Sequence, residues 1–380
     1  RRIAITIKFF IYTMVGSLGM LFSLLYIYYH HYLQTGFYTI DIIQLYNTNI
    51  SGSIAPLLFF LFLLAFAIKA PLFPFHTWLP DTYTEAPVSA TVLLSAVMAK
   101  LGVYGMIRFV IPLFPVTFSQ YSNLLMTLAV IGTIYGGLIA IVQKDMKRLI
   151  AYSSISHLGY IILGVFAFNL QSLQGSVFHM VNHALSTGAL FLLVAFLEER
   201  IKTRLLDKTG GLMKVIPVFG TIFMIVMFSS IGLPGLNGFI GELLIFLGVF
   251  GNNPWFSALG ATGVIIGAVY MLWMFQRIMF GKIKDDSLYE FKDLKKSEAV
   301  ILLPIVFLIV VLGVYPQPFL NKIEPTVRRY IEFIHAKSIN SQEIAFSRRK
   351  ENLMLPVSSG TKFLQTDKVL FNTGIHPTNE

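Results

Sequence analysis

The chain has 380 residues, of which 55% are hydrophobic and only 13% charged, and its mean hydropathy is +0.71. A soluble domain carries charge on about a quarter of its residues, so this composition excludes one. A net charge of +10 would point to nucleic acid in a soluble protein, but here Lys and Arg fall mostly in short connections, and the lack of cysteine excludes disulfides, iron–sulfur clusters and thiolate metal sites in this chain.

Apolar runs of about eighteen residues or more cross about 30 Å of hydrocarbon as helices, because lipid leaves no partner for an unpaired backbone group. The fold class read from them is all-α, a polytopic membrane protein of about nine transmembrane helices. In chain order the predicted crossings are 4–28, 55–80, 87–109, 119–142, 148–168, 174–197, 215–249, 255–280 and 298–315. The second is broken at Lys69-Ala-Pro-Leu-Phe-Pro-Phe-His76, where Pro71 and Pro74 remove helix donors. The seventh is too long for one crossing and is interrupted at Gly232-Leu-Pro-Gly235 and Gly238. Breaks of this kind mark ion pathways, since irregular backbone at membrane depth survives only beside a wet cavity or packed in protein.

Orientation follows from the connections. One side holds Arg1 and Arg2, then Lys144, Lys147 and Arg148, then Arg200, Lys202, Arg204 and Lys208, then Lys282, Lys284, Lys292, Lys295 and Lys296. The alternate connections (30–53, 110–118, 169–173 and 250–254) contain no Lys or Arg, which puts the N-terminus on the cytoplasmic or matrix side. The first residue is Arg, as expected of a trimmed chain or a part of a longer assembly. Residues 317–380 are polar and basic, with Arg328, Arg329, Arg348, Arg349 and Lys350; a short amphipathic helix is expected around Val327–Ile334, and an extended strap or disordered tail elsewhere.

Titratable groups inside the crossings carry the chemistry. A charged lysine at the bilayer centre costs about 2.5–3.5 kcal/mol on insertion scales. Lys69 ends an apolar half-helix just before Pro71, and Lys100 sits mid-span; the bland alternatives are snorkelling for the first and an interhelical ion pair for the second. Ser176, His179, His183 and Thr187 form one stripe of the sixth crossing, flanked by Asn182 and Ser186. Ser153, Ser156, His157 and Tyr160 form a similar stripe on the fifth. Histidine relays protons through either ring nitrogen, although each of these could also be a hydrogen-bonded core residue. The spacing of His179 and His183 suits a metal, but no carboxylate sits on that face, and no metal is expected. Glu242 follows the second break as a candidate terminal proton acceptor, and His76 lies in the first break. The order is amine, amine, imidazole, carboxylate, each on a different crossing, with no nucleotide loop, catalytic triad or haem ligand set.

The segments Ala67–Asp81, Glu85-Ala-Pro87, Lys100–Phe109, Lys147–His157, Gly232–Gly235 and Gly241-Glu242 resemble the chain 4 family of NADH:ubiquinone oxidoreductase (respiratory complex I), from Arg1 to about Tyr315. The resemblance implies an antiporter-like inverted-repeat fold, with fourteen helices in the family and two discontinuous ones. It divides this chain into residues 1–110, the remainder of a first half with its discontinuous helix at 55–80; residues 111–297, a second half with its discontinuous helix at 215–249; a last crossing at 298–316; and a polar extension at 317–380. It implies proton translocation driven by electron transfer from NADH to quinone, as a non-redox subunit of the enzyme. Lys69, Lys100, His183 and Glu242 become the relay, with His76, His157 and His179 secondary. NADH, FMN, iron–sulfur clusters and ubiquinone are then bound by other subunits, and this chain binds no cofactor. The implied partners are membrane-arm subunits and lipids, with no nucleic acid. The family's first five helices have no counterpart here, so the expectation is either a separate polypeptide that supplies them or a chain that is a processed portion of a longer one. The implied location is the mitochondrial inner membrane, with a bacterial plasma membrane as the alternative. A subunit of a multisubunit Na⁺/H⁺ antiporter or membrane hydrogenase shares this plan, and a scaffold that has lost pumping is a rival of another class.

Overall fold

The computed structural model describes residues 2–50, 52–283 and 292–354, with side chains through residue 340. Arg1, Lys284, the side chains of Arg348, Arg349 and Lys350, and the part of the expected tail beyond residue 354 lie outside the described residues. The described residues form helices in the order α1 (Arg2–Thr35), α2 (Ile42–Leu45), α3 (Ile54–Lys69), α4 (Trp78–Glu85), α5 (Val88–Leu113), α6 (Pro115–Ile141), α7 (Met146–Ala167), α8 (Leu170–Ile201), α9 (Pro217–Ser230), α10 (Asn237–Asn252), α11 (Pro254–Met279), α12 (Lys296–Val314) and α13 (Gln317–Met354). Seven of these are long and apolar enough to cross a membrane: α1, α5, α6, α7, α8, α11 and α12. The two remaining expected crossings are the broken ones, divided into α3 with α4 and into α9 with α10.

The helix starts follow local chemistry. Asp145 caps α7 by accepting from the Arg148 N–H, and Asn169 and Ser172 cap α8 reciprocally. Pro115, Pro217 and Pro254 each open a helix, where a missing N–H leaves no bond unmade. Helix α7 is the axis of the bundle: 94% of its spanning window is buried, against 17% for α1 at the edge. In α5 the regular ladder widens twice, over Leu94–Met98 and Met106–Val110. There the Ala99 N–H reaches Leu94 and the Ile111 N–H reaches Met106, five residues back in each case. Gly102 of α5 packs against the backbone of Ala70, where a Cβ would lie 2.6 Å from the Ala70 nitrogen. The two helices that carry Lys69 and Lys100 are thereby pressed together.

The basic connections gather ion pairs at one end of the bundle. Lys8 and Arg148 both reach Asp81, at 2.9 and 3.4 Å; Lys147 lies 3.2 Å from Glu198, and Arg204 lies 3.2 Å from Asp145. Arg200 forks onto Glu298 at the start of α12, with both side chains almost wholly buried.

The C-terminal region differs from expectation. Its helix is not confined to Val327–Ile334 but runs unbroken over Gln317–Met354, through Pro325. The reason is a stripe at helical spacing, Ile323, Val327, Tyr330 and Ile334, which packs against the core and rewards a continuous helix despite its polar composition. Helix α13 straps the end of the bundle opposite the basic connections. Tyr330 donates to the Ile107 carbonyl at 2.5 Å, Lys337 to the Pro112 carbonyl at 2.5 Å, and Gln174 to the Leu320 carbonyl at 3.0 Å.

Burial pushes Lys337 down from 10.5 to about 8. Between these two values the released helix binds more protons than the docked one, so docking strengthens as pH rises from about 8 to 10.5 and stays at its weakest below. Hydrogen exchange, corrected for intrinsic rate, should therefore show growing protection of residues 317–340 across that window. In Lys337→Met the trend should vanish; identical profiles for the two proteins would show that Lys337 does not govern the strap.

Candidate functional site

At the first break, α3 ends on Lys69, with Ala70 returning its N–H to the Phe66 carbonyl. The last carbonyls of a helix lack partners; the Trp78 indole N–H satisfies that of Ile68 at 2.9 Å. Lys69 thus stands at the C-terminal, negative end of a half-helix. It is half-buried and has no hydrogen-bond or ion-pair partner among the described residues. His76 lies in the same break, stacked on Phe73 with ring centroids 5.5 Å apart and edge-on to Tyr135 at 5.1 Å.

Lys100 is buried, 9% exposed, just after the first widened turn of α5. That turn brings the Ser95 carbonyl to 2.6 Å from the Lys100 Nζ, and the same amine lies 2.7 Å from Nδ1 of His183 on α8. Beyond His183 the ring of His157, on α7, follows at a centroid distance of 5.3 Å, and that of His179 lies 5.9 Å from His157. Both histidines face Glu242 on α10: Nδ1 of His157 is 3.4 Å and Nε2 of His179 3.8 Å from the same oxygen, Oε1. Neither contact has hydrogen-bond alignment, and both rings keep buried nitrogens without hydrogen-bond partners among the described residues.

Glu242 owes its position to the second break. Gly232 and Gly235 both have positive φ, 71° and 93°, which reverses the chain between α9 and α10. The absence of a side chain on Gly232 admits the second Glu242 oxygen, since a Cβ there would lie 2.6 Å from it. A polar seam holds the break closed: Ser186 and Ser229 share a hydrogen bond at 2.5 Å, Ser229 donates to Asn237 at 2.5 Å, and Asn182 donates to the Asn237 carbonyl at 2.7 Å.

The fold therefore gathers five predicted site residues, Lys100, His183, His157, His179 and Glu242, from four helices into one buried line. Lys69 and His76 stay in the first break, and no hydrogen bond or ion pair joins them to that line among the described residues. Sequence reasoning missed Ser229, Asn237 and Tyr270, whose hydroxyl donates to Ser153 at 2.9 Å. Asn237, a polar residue directly after the Gly-Leu-Pro-Gly break, carried a signal that could have found it. His157, His179 and Glu242 are also three groups able to hold a metal ion, with one ligand atom from each lying within 4.8 Å of the others. No carboxylate shares a helix face with His179, but Glu242 reaches it from another helix, α10.

Residues 1–269 match the family model described as NADH:quinone oxidoreductase/Mrp antiporter, TM. The chain is 38% identical over 348 residues to NADH-quinone oxidoreductase subunit M of Rhodobacter capsulatus, covering 88% of this chain and 67% of that one. It is 40% identical over 332 residues to NADH-ubiquinone oxidoreductase chain 4 of Marchantia polymorpha, covering 87% of this chain and 66% of that one. The chain thus spans about two thirds of the length of these curated relatives. Among solved structures, a chain of respiratory complex I from Thermus thermophilus with bound NADH superposes with a TM-score of 0.81 at 34% identity, covering 88% of this chain and 70% of that one. A chain of the archaeal membrane-bound sulfane sulfur reductase gives 0.76 at 28% identity, covering 87% and 68%. With its seven long crossings, two broken ones and a buried line of titratable groups, the chain belongs to the NADH:quinone oxidoreductase/Mrp antiporter transmembrane family.

Proposed function

We propose that the chain is a proton-translocating membrane-arm subunit of NADH:quinone oxidoreductase, in a mitochondrial inner membrane or its bacterial counterpart. The observation that carries this reading is the contact of the Lys100 amine with His183 at 2.7 Å, continued through His157 and His179 to Glu242. A proton given by Lys100 to Nδ1 of His183 is matched by one leaving Nε2. His157, its ring centroid 5.3 Å from that of His183, takes that proton up and delivers one to the carboxylate. Lys69, at the first break, supplies Lys100 along the α3–α5 contact. With no cysteine in the chain, the driving reaction belongs to other subunits, which hold NADH, flavin, iron–sulfur clusters and quinone. A carboxylate from a neighbouring membrane subunit facing Lys69 completes the first site. Identities of 38–41% to oxidoreductase subunits favour this over a Na⁺/H⁺ antiporter or hydrogenase role.

The test is NADH-driven acidification of inverted vesicles carrying His183→Gln, which keeps hydrogen bonding but cannot pass a proton between two ring nitrogens. Proton transfer through this subunit should fall by about 10²-fold, the lower end of general acid–base effects. Undiminished pumping with normal assembly would remove His183 from the path.

A further inference from the structure

We infer that His157, His179 and Glu242 form a divalent-cation site, selective for a tetrahedral ion of the Zn²⁺ type, that locks the relay when filled. The consequence for pumping rests on the proposed relay; the binding does not.

The three side chains converge: one ligand atom from each lies within 4.8 Å of the others, and the two separations that involve Glu242 approach those of a zinc centre. Tetrahedral zinc with bonds of about 2.0–2.1 Å separates its ligand atoms by about 3.3 Å. Here Oε1 of Glu242 lies 3.4 Å from Nδ1 of His157 and 3.8 Å from Nε2 of His179. Two imidazoles and one carboxylate are also the donor set that zinc sites use when they keep one position open for water, whereas Mg²⁺ and Ca²⁺ call for six or more oxygens. The three residues are 5%, 2% and 4% exposed, and their ligating atoms have no hydrogen-bond partner among the described residues. Buried lone pairs converging in this way are left for a small electrophile, a hydrated proton or a metal ion.

The surrounding backbone fixes the ligands. Gly241 precedes Glu242, and a Cβ there would come within 2.7–2.8 Å of the His179 side chain, so only glycine lets α10 approach His179 this closely. Gly232 admits the second Glu242 oxygen on the other side. Bound through Nδ1, His157 holds its proton on Nε2; bound through Nε2, His179 holds its proton on Nδ1. With those lone pairs and Oε1 occupied, neither imidazole can accept a proton from the Lys100–His183 pair, and the path stops at His183, before it reaches His157 or Glu242.

The experiment uses the assembled complex, incubated with ZnCl₂ and freed of excess by gel filtration. Cryo-EM of the unmutated complex should show density between the three residues, with bonds of about 2.0–2.2 Å. Retained zinc should fall by one ion per complex in a His157→Ala/His179→Ala double variant, and affinity should drop by about tenfold or more in either single variant. Empty space between the three side chains at saturating zinc overturns the site whatever the variants do, as does equal zinc retention by wild type and a double variant of normal assembly. Zinc seen in place with NADH-driven acidification unchanged upholds the site and overturns the relay instead.

Discussion

Replacing Lys100 by either alanine or arginine should stop proton transfer through this subunit, by about 10²–10⁴-fold, while leaving the complex assembled. The arginine variant is the informative one. The native amine donates to the Ser95 carbonyl at 2.6 Å and meets His183 Nδ1 at 2.7 Å. A guanidinium keeps the positive charge and the donors, but it does not release its proton in proteins. If Lys100 only balanced charge or tied α5 to α8, arginine would serve and NADH-driven acidification would be near normal. If Lys100 must let go of a proton, arginine fails as completely as alanine. Because arginine is also larger, a second arm separates crowding from chemistry. Added ammonium should partly restore acidification in Lys100→Ala, by entering the space the side chain leaves, whereas guanidinium should not. Assembly is read on native gels in every case. Wild-type pumping by Lys100→Arg would end the relay reading at this residue.

The fold was legible to the extent that it follows from solvent. Apolar runs set the crossings, and the prolines and glycines set the breaks, because a missing N–H or a positive φ cannot be hidden in lipid. The first crossing, expected over 4–28, starts close to expectation and runs two turns further, to Thr35; the extra turns hold Tyr29, His30, His31 and Tyr32, polar-tipped aromatics. What a helical stripe cannot reveal is which neighbour it meets. His157 and His179 were expected to be secondary, yet these two converge on Glu242 from α7 and α8. The first widened turn of α5 left no mark in the sequence either, since Leu94–Met98 contains neither proline nor glycine. In the tail, low hydropathy and Pro325 concealed the docked stripe of α13, which is decided by tertiary contact and not by propensity.

The second large effect is expected at Gly238, which touches no proton yet fixes the end of the path. Its helix, α10, starts immediately after the break, and a Cβ on Gly238 would lie 2.1 Å from the Ser229 carbonyl oxygen, a backbone atom that cannot rotate away. Gly238→Ala must therefore part α9 from α10, which breaks the Ser229–Asn237 hydrogen bond at 2.5 Å and, through Asn237, the link to Asn182. Overpacking of this kind costs about 1–3 kcal/mol, and each buried polar group left unpaired adds a similar penalty. The assembled fraction and thermal stability should fall, and the complexes that do form should pump poorly, because Glu242 moves with α10 away from His157. Gly251→Ala is the matched control, on the same helix with nothing within 4 Å of its Cβ, and should be silent in both measurements. If Gly238→Ala proved as harmless as Gly251→Ala, the close contact across the break would not be what sets Glu242 in line. The placement of the terminal carboxylate would then have to come from the α8–α10 packing at Gly241 and His179 alone.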